Sequence, residues 1–242
     1  MDEPSGRLID ADLDRLRAAM VAAGRRMGAR GLISAGEGNL SIRLPGERLL
    51  VTPSGLRKDE LGPADLLVVP LRDDGTAVRA AAGRRPSSDI AIHRAVQAAR
   101  PDILAVAHAH PPATLALTLA GERADPAALP ETALLLPLLP FVPFGTPGSA
   151  ELAERIAAAL AEGPPPLAGA VLLERHGAVA VGGATPASGA AAQSDAAAQG
   201  GDWAGDAIAA LAQAIDRLEL VEVLCRSTRD ALLIRAARSA GA

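Results

Sequence analysis

The sequence predicts a fold of mixed helices and strands, of the α/β or α+β class, on three observations. Helical spacing of apolar residues, at steps of three and four, marks some segments, and short continuous apolar runs mark others. The two kinds of segment alternate along the chain instead of separating into halves. Hydrophobic residues make up 49% of the 242 residues. That is enough for one sizeable core, so we expect a single domain over 1–242, with two small domains as the alternative.

The first third of the chain predicts a helix, a glycine-rich loop and three strands. An amphipathic pattern covers 9–29, and Gly31 ends that helix. The loop reads Gly31-Leu-Ile-Ser-Ala-Gly-Glu-Gly-Asn39, and Pro45-Gly46 then makes the turn of a hairpin. The two hairpin strands and a further strand cover 40–44, 49–52 and 66–71.

The middle of the chain predicts helices on either side of an apolar strand. Pro86 enters the first helix, and Ser87 or Ser88 caps it. The helix, the strand and the second helix cover 86–100, 103–110 and 111–120. Three prolines interrupt 134–144, so this stretch is a broken, edge-like strand or a loop.

The last third predicts a helix, two strands and a long final helix. Ser149 caps the first helix, and Glu174-Arg175-His176-Gly177 forms a tight turn between the strands. The helix, the strands and the final helix cover 149–161, 170–173, 178–181 and 206–238. Gly, Ala, Ser and Gln dominate 183–205, which we expect to be a flexible, low-complexity connection.

Composition excludes several kinds of chemistry. The chain has no tyrosine, one cysteine (Cys225) and one lysine (Lys58), so an intrachain disulfide and a cysteine-rich metal site are excluded. A Schiff-base mechanism could use only Lys58. The net charge of −4 and the 1% aromatic content give no support to a nucleic-acid partner. No stretch is apolar enough for a membrane span, and the N-terminus does not resemble a signal peptide, so we expect a cytoplasmic protein.

Three of the four histidines lie where predicted strands end. His108 and His110 are two residues apart, which places both imidazoles on one face of a strand. His176 lies in the tight turn before Gly177. Three imidazoles on one ion would make a zinc-type site with an open fourth position, and manganese, iron and cobalt also accept such ligands. The alternative is a pair of half-buried strand histidines, and spacing alone does not decide between the two.

Asp89 and His93 lie one turn apart on the same face of the predicted helix. Asp89 is either an acid favoured by the helix dipole or a carboxylate at the metal, as a ligand or a proton acceptor. We interpret His93 as a structural residue or as one that supports the metal site from behind its ligands.

Three short segments have the chemistry to hold an oxyanion. Backbone amides of Gly36-Glu37-Gly38-Asn39 and the hydroxyls and glycine amide of Thr52-Pro53-Ser54-Gly55 can face a ligand. Ser87 and Ser88 lie at a helix N-terminus, where free N–H groups favour negative charge. Together they indicate a phosphate or carboxylate site beside the metal, although each is also ordinary turn chemistry.

Five motifs in the same order resemble the class II aldolase/adducin family, which includes fuculose-phosphate aldolase and ribulose-5-phosphate 4-epimerase. They are Gly38-Asn39-Leu-Ser-Ile-Arg43, Val51-Thr-Pro-Ser-Gly55, Pro86-Ser-Ser-Asp89-Ile-Ala-Ile-His93, Ala105-Val-Ala-His108-Ala-His110-Pro and Leu172-Leu-Glu-Arg-His176-Gly-Ala. The resemblance runs from about residue 10 to 182 and resumes in the final helix. It implies a three-layer α/β/α fold around a mainly antiparallel sheet, and a homotetramer with active sites between subunits.

The resemblance also implies a site. A divalent ion, usually zinc, would bind His108, His110 and His176, with Asp89 as a candidate fourth ligand and catalytic carboxylate. The residues implied for the substrate phosphate are Asn39, Ser54, Gly55, Ser87 and Ser88. The expected reaction is retro-aldol cleavage of a small phosphorylated ketose. The alternatives on this scaffold are 4-epimerisation, dehydration or decarboxylation, and a non-catalytic adducin-like interaction module.

Two departures from the family pattern bear on the reaction. The aldolases carry glutamate where this chain has Asp89, whereas the epimerases carry aspartate. Both groups use a tyrosine of a neighbouring subunit as proton donor, and this chain has none. Glu131 is the candidate substitute, although a surface acid beside Pro130 is the simpler interpretation.

Overall fold

A computed structural model describes residues 10–72, 83–183 and 202–241. In these ranges seven strands form one sheet: β1 (Asn39–Leu44), β2 (Arg48–Val51), β3 (Leu67–Pro70), β4 (Ile103–Ala109), β5 (Phe141–Val142), β6 (Ala170–Leu173) and β7 (Gly177–Gly183). The strand order is β3-β2-β1-β4-β7-β6-β5. Every neighbouring pair is antiparallel except β5 and β6. The prediction of a mainly antiparallel sheet is therefore confirmed.

Helices cover both faces of the sheet. They are α1 (Asp10–Ala29), α2 (Ile90–Ala99), α3 (Pro112–Leu119), α4 (Pro130–Leu135), α5 (Ala150–Ala161) and α6 (Trp203–Ala240). One face packs on α1 and α6 through a large aliphatic cluster, and the opposite face packs on α2 and α5 through a second cluster. Strand alternation explains the division, because successive side chains point to opposite faces. The three-layer α/β/α prediction is confirmed.

The helix predicted over 86–100 begins later than expected. Its first residue is Ile90, and Asp89 rather than a serine occupies the N-cap position. Pro86 and Ser87 instead pair with the end of the hairpin, through a bridge to Pro53 and a bond from the Ser87 amide to the Thr52 carbonyl. That pairing keeps their backbone extended, so the helix cannot start at Pro86.

The broken strand predicted over 134–144 is only partly correct. Pro130 starts α4, which runs to Leu135, so residues 134 and 135 are helical. Proline fits the first turn of a helix because the amide it lacks would have no partner there. A two-residue strand, Phe141–Val142, follows at the edge of the sheet.

Most of the connection predicted to be flexible, 184–201, lies outside the described residues. The first residue and the last few residues of the predicted connection belong to regular elements, so its predicted boundaries of 183 and 205 are too wide. Gly183 belongs to β7. At the other end, α6 begins at Trp203, because the Asp202 carboxylate caps the helix by accepting from the Gly205 amide at 3.0 Å. Among the described helices, none is long and apolar enough to cross a membrane.

Candidate metal centre

Three histidines meet at one end of the sheet. His108 lies near the end of β4, His110 just beyond it, and His176 in the turn before β7. Because β4 and β7 are antiparallel neighbours, the end of one strand lies beside the start of the other. One ring nitrogen from each histidine lies within 4.8 Å of the other two. The ring centroids are 4.8, 4.8 and 4.9 Å apart, so the three rings form a nearly equilateral triangle.

The turn that carries His176 has an unusual backbone. Arg175 has a φ of 57° and Gly177 a φ of 91°, both in the left-handed region. A Cβ atom on Gly177 would overlap the carbonyl oxygen of Ala109 and crowd His110. Glycine is therefore required at 177, because the turn lies directly against the main chain that connects His108 with His110.

Burial keeps the three imidazoles neutral. Burial, and then the two neighbouring histidines, hold the pKa of His108 well below its ordinary value. Burial also lowers the pKa of His110, with a further contribution from His176, and lowers the pKa of His176. Neutral imidazole is the form that binds a metal ion, so desolvation prepares the ligands.

The donor atoms suit a divalent ion. The Nδ1–H group of His108 donates to the Ala178 carbonyl at 3.0 Å, which leaves its Nε2 lone pair free. That Nε2 lies 3.0 Å from Nε2 of His110. Two nitrogen ligands of one tetrahedral ion with bonds of about 2.0–2.1 Å are about 3.3 Å apart. The buried Nδ1 of His176 has no hydrogen-bond partner among the described residues. The three residues therefore fit an ion bound through nitrogen.

The Asp89 carboxylate faces this cluster. Its Oδ2 lies 3.9 Å from Nε2 of His108 and accepts a bond from the Asn39 amide at 3.0 Å. Its Oδ1 is buried and has no hydrogen-bond partner within the described ranges. Asp89 is 8% exposed. A buried carboxylate oxygen without a partner is costly, so Oδ1 is available to a ligand or a proton.

A row of buried polar side chains continues behind Asp89. The Asn39 Oδ1 lies 2.6 Å from Nε2 of His93, whose Nδ1 lies 2.7 Å from the Ser41 hydroxyl. The Gln97 amide donates to that hydroxyl at 2.8 Å. Asn39 and Ser41 point to the same face of β1, under α2, which carries His93 and Gln97. Sequence reasoning missed Ser41 and Gln97. The signal that could have found them is a polar side chain on the otherwise apolar, buried face of a strand or helix.

Two of the predicted oxyanion segments lie side by side. The Ser54 amide donates to the Arg85 carbonyl at 2.9 Å, next to the bridge between Pro53 and Pro86. Ser54, Gly55 and Ser88 are exposed, and Ser87 is partly buried. The Ser87 hydroxyl accepts from the backbone amide of Asp89 at 3.3 Å, so this serine loop is joined to the main chain of the residue that carries the carboxylate.

Asn39 differs from the other residues predicted to bind phosphate. It is 2% exposed, and both polar atoms of its side chain already have protein partners, His93 and Asp89. The register of the sheet places it directly opposite His108. Asn39 is therefore part of the wall of the histidine cluster.

Lys58 and Glu37 hold the glycine-rich loop that precedes Asn39. The Lys58 ammonium donates to the carbonyls of Gly36 and Leu56 at 2.7 and 2.6 Å, and the residue is 2% exposed. Burial lowers the pKa of Lys58. One oxygen of Glu37 accepts from both the amide and the hydroxyl of Ser34, each at 2.6 Å. Sequence reasoning did not find these loop contacts.

Glu131, the candidate for the missing proton donor, lies elsewhere. It is exposed on the first turn of α4. No hydrogen bond or ion pair within the described ranges joins it to the histidine cluster. Its role stays a prediction.

Known proteins share this architecture and sequence. The family described as Class II Aldolase and Adducin N-terminal domain matches residues 18–193. The methylthioribulose-1-phosphate dehydratase of Acidiphilium cryptum is 45% identical over 101 residues, which are 42% of this chain and 46% of that protein. The 5-methylthioribulose-1-phosphate/5-deoxyribulose-1-phosphate aldolase of Rhodospirillum rubrum is 34% identical over 171 residues, covering 69% of this chain and 71% of that protein. The chain spans about half the length of the dehydratases it matches.

A solved structure extends the likeness to the fold. The L-fuculose-1-phosphate aldolase from Thermus thermophilus has a TM-score of 0.70 and 30% identity, and the match covers 92% of this chain and 97% of that one. The family match covers 176 of the 242 residues, from 18 to 193. This chain therefore belongs to the class II aldolase/adducin family.

Proposed function

We propose that this protein is a divalent-metal-dependent lyase that acts on a small phosphorylated ketose. The observation that carries the proposal is the cluster of His108, His110 and His176, with the Asp89 carboxylate beside it. An adducin-like interaction module has no use for three converging imidazoles and a buried carboxylate oxygen without a partner. The relatives described above act on phosphorylated ketoses, which supports the substrate class.

The three histidines would hold the ion, with Asp89 as a candidate fourth ligand. Zinc suits a set of neutral imidazoles, and manganese, iron or cobalt would also be accepted. When bound, such an ion supplies Lewis acidity, which stabilises negative charge developing on the substrate oxygens. Lys58 does not need to form a Schiff base in this chemistry.

Asp89 is the residue that we propose moves the proton. In retro-aldol cleavage it would take the proton from the hydroxyl of the carbon that becomes the aldehyde. The bond from that carbon to its neighbour on the ketone side then breaks, and the electron pair stays with the ketone fragment. A proton delivered to that fragment completes the reaction. The Asn39 amide holds Oδ2 of Asp89, so the other oxygen is free for this transfer.

The serine loops would bind the substrate phosphate. Ser54, Gly55, Ser87 and Ser88 lie on two adjoining loops that lead to the N-terminus of α2, where the helix dipole favours an anion. Asn39 would contribute at most a remaining amide hydrogen, because its other polar positions are already used.

Dehydration is the second candidate reaction. It is favoured by the dehydratase relative, which has 45% identity over the shared stretch against 34% for the aldolase relative. Loss of water also needs a base beside the substrate carbonyl, so Asp89 would serve either reaction.

One assay separates the two reactions. The purified protein is loaded with zinc, manganese or cobalt and given 5-methylthioribulose 1-phosphate, 5-deoxyribulose 1-phosphate or L-fuculose 1-phosphate, and phosphorus NMR follows the products. Cleavage gives dihydroxyacetone phosphate, whereas dehydration keeps the carbon chain intact. Asp89→Asn should abolish either reaction in a folded protein, and Glu131→Gln tests the proton-donor prediction. Absence of turnover for every pairing of ion and substrate would overturn the proposal.

We also propose a cytoplasmic homotetramer in which residues 1–242 form one domain and the active sites lie between subunits. Large apolar side chains are exposed on α3, α4 and the distal half of α6, and an assembly would cover them. They include Leu119, Leu134, Leu135, Leu233 and Ile234. Light scattering on the purified protein measures the state directly, and a monomer at micromolar concentration would contradict this assignment.

A further inference from the structure

The buried polar row behind Asp89 is continuous, because each side chain lies within hydrogen-bond distance of the next. Its links, from Gln97 through Ser41, His93 and Asn39 to Asp89, measure 2.8, 2.7, 2.6 and 3.0 Å. None of the five residues is more than 8% exposed. They come from β1 and α2, with Asp89 at the N-cap of that helix. Four linked hydrogen bonds restrict the orientation of the side chains between the two ends of the row, and beyond the bonded atoms Oε1 of Gln97 has no partner among the described residues.

The carboxylate at one end decides which group donates and which accepts in every hydrogen bond of the row. This assignment of donors and acceptors is called the sense of the row. An ionised Asp89 can only accept, so Asn39 must turn its N–H₂ group toward Asp89 and its oxygen toward His93. His93 must then carry its proton on Nε2 and accept on Nδ1 from the Ser41 hydroxyl. Ser41 has used its one hydrogen, so it accepts from the amide of Gln97. All four bonds are satisfied in this single arrangement.

The opposite arrangement is disfavoured at the Asp89 end of the row. If His93 carried its proton on Nδ1, Asn39 would turn its amide toward Nε2 and present its oxygen to the Asp89 carboxylate. Two acceptors would then face each other at 3.0 Å. Protonated His93 is also excluded at neutral pH, because burial lowers its pKa to about 3. The neutral Nε2–H ring is the only form that suits the carboxylate.

We propose that His93 is a positioning residue that acts through Asn39 to orient the Asp89 carboxylate toward the three-histidine cluster. Ser41 and Gln97 hold the His93 ring in the tautomer that this requires. In this role the main contacts of the Asn39 side chain are with His93 and Asp89, and any contact with the substrate phosphate is secondary. The catalytic part of the inference rests on the proposed function, whereas the tautomer and the sense of the row do not.

The tautomer can be read without any substrate. The chain has four histidines, so ¹⁵N-labelled imidazole spectra of the metal-loaded protein can be assigned with one His93→Gln comparison. We expect His93 to show a protonated Nε2 and an unprotonated, hydrogen-bonded Nδ1 that do not titrate between about pH 5 and about pH 8. A proton on Nδ1, or a titration near the ordinary pKa, would overturn the proposal.

Variants test the effect on Asp89. His93→Phe keeps a ring but removes both polar contacts, whereas glutamine at 93 offers a donor and an acceptor with a similar separation. We expect His93→Phe to lower kcat by about 10- to 100-fold with little change in KM, the usual cost of losing a partner behind a metal site. His93→Gln should recover most of that loss. Equal kcat in His93→Phe and the wild type, or no recovery with glutamine, would contradict the positioning role.

A matched variant controls for packing. Val96→Ala removes buried volume from the same helix, and the Val96 side chain takes no part in the hydrogen bonds of the polar row. It should lose thermal stability and keep kcat, and a fall in kcat equal to that of His93→Phe would assign the effect to packing instead. If the wild type neither binds metal nor turns over a phosphoketose, the proposed function fails, and the imidazole spectrum still decides the sense of the row.

Discussion

Both carboxylate oxygens of Glu222 are held by the first turn of α3, and one of them accepts from the amide and the hydroxyl of Thr114, at 3.0 and 3.1 Å. The other accepts from the Ala113 amide at 3.0 Å. Glu222 is a buried residue of α6, so a side chain distant in sequence caps the helix that directly follows His110. A negative charge at this position also complements the helix dipole.

Glu222→Gln should therefore destabilise the protein and loosen the histidine cluster. The amide replaces one acceptor by a donor that faces backbone N–H groups, a loss of about 1–3 kcal/mol. Thermal and urea unfolding measure the loss, and titration with a divalent ion measures the weaker binding. Arg226→Ala is the control: Arg226 is a half-exposed partner of Glu222 at 3.4 Å, so its removal should cost little. Equal losses for the two variants would contradict the capping role.

Metal content tests the histidine cluster directly. Protein purified and reconstituted with zinc should hold about one ion per chain by elemental analysis. His176→Ala should lose that ion, because two imidazoles and one carboxylate bind far more weakly than the full set. Glu131→Gln, a change at an exposed position away from the cluster, should keep it. A full complement of metal in His176→Ala would place the ion elsewhere.

The depressed pKa of His93 predicts how stability depends on pH. Burial lowers that pKa from the ordinary 6.5 to about 3. Between these values the unfolded chain binds a proton that the folded chain does not. Stability is therefore fully present above about pH 6.5 and falls by up to about 1.4 kcal/mol per pH unit below it. Urea unfolding from about pH 7 to about pH 5 should show a shallower acid decline for His93→Gln than for the wild type; parallel curves would disagree with this account.

Lys58 should not form a Schiff base with the substrate. Its ammonium donates to two backbone carbonyls, and the side chain has almost no access to solvent. Borohydride added together with a phosphoketose should therefore leave activity intact, whereas a Schiff-base aldolase treated in parallel should be inactivated. A reduced substrate adduct on the Lys58 peptide in the mass spectrum would refute this expectation.

Phosphate binding at the serine loops should stabilise the folded protein. Inorganic phosphate at ten times its dissociation constant contributes about 1.4 kcal/mol, a shift of a few degrees in Tm. The combined change Ser87→Ala and Ser88→Ala should remove most of this shift. Ser239→Ala, at an exposed serine near the end of α6, should keep it. No shift in the wild type at millimolar phosphate or phosphoglycolate would count against a phosphorylated substrate.

Local sequence patterns predicted most of the elements, because the spacing of apolar residues and the capping and turn residues between them determine where helices and strands form. The alternating and continuous apolar runs indicated β1, β4, β6 and β7, and Ser149 was correctly predicted as the cap of α5. The start of α2 was wrong because Pro86 pairs with Pro53, a contact across the fold that no local pattern reports. The start of α4 was missed for a different, local reason: its first residue is a proline, which in sequence also looks like a strand breaker.

The candidate site divides in the same way. The His-x-His spacing placed two rings on one face, and a tight turn delivered His176 beside them, as the resemblance to the family implied. Sequence reasoning did not find Ser41 and Gln97, because their role depends on α2 lying over β1. It also did not find Glu222, which lies more than a hundred residues from the turn that it caps.

The overlap that excludes a Cβ at Gly177 has a consequence for how this site can vary. The turn carrying His176 lies against the main chain of Ala109 and His110. The distance between the two histidine-bearing segments is therefore set by contact between backbones and not by side chains. Side-chain exchanges in the surrounding core can alter stability without altering that distance. Apolar-to-apolar exchanges in that core would therefore leave the triangle of imidazoles at its present size. Selectivity for a substrate must then come from the residues around its rim.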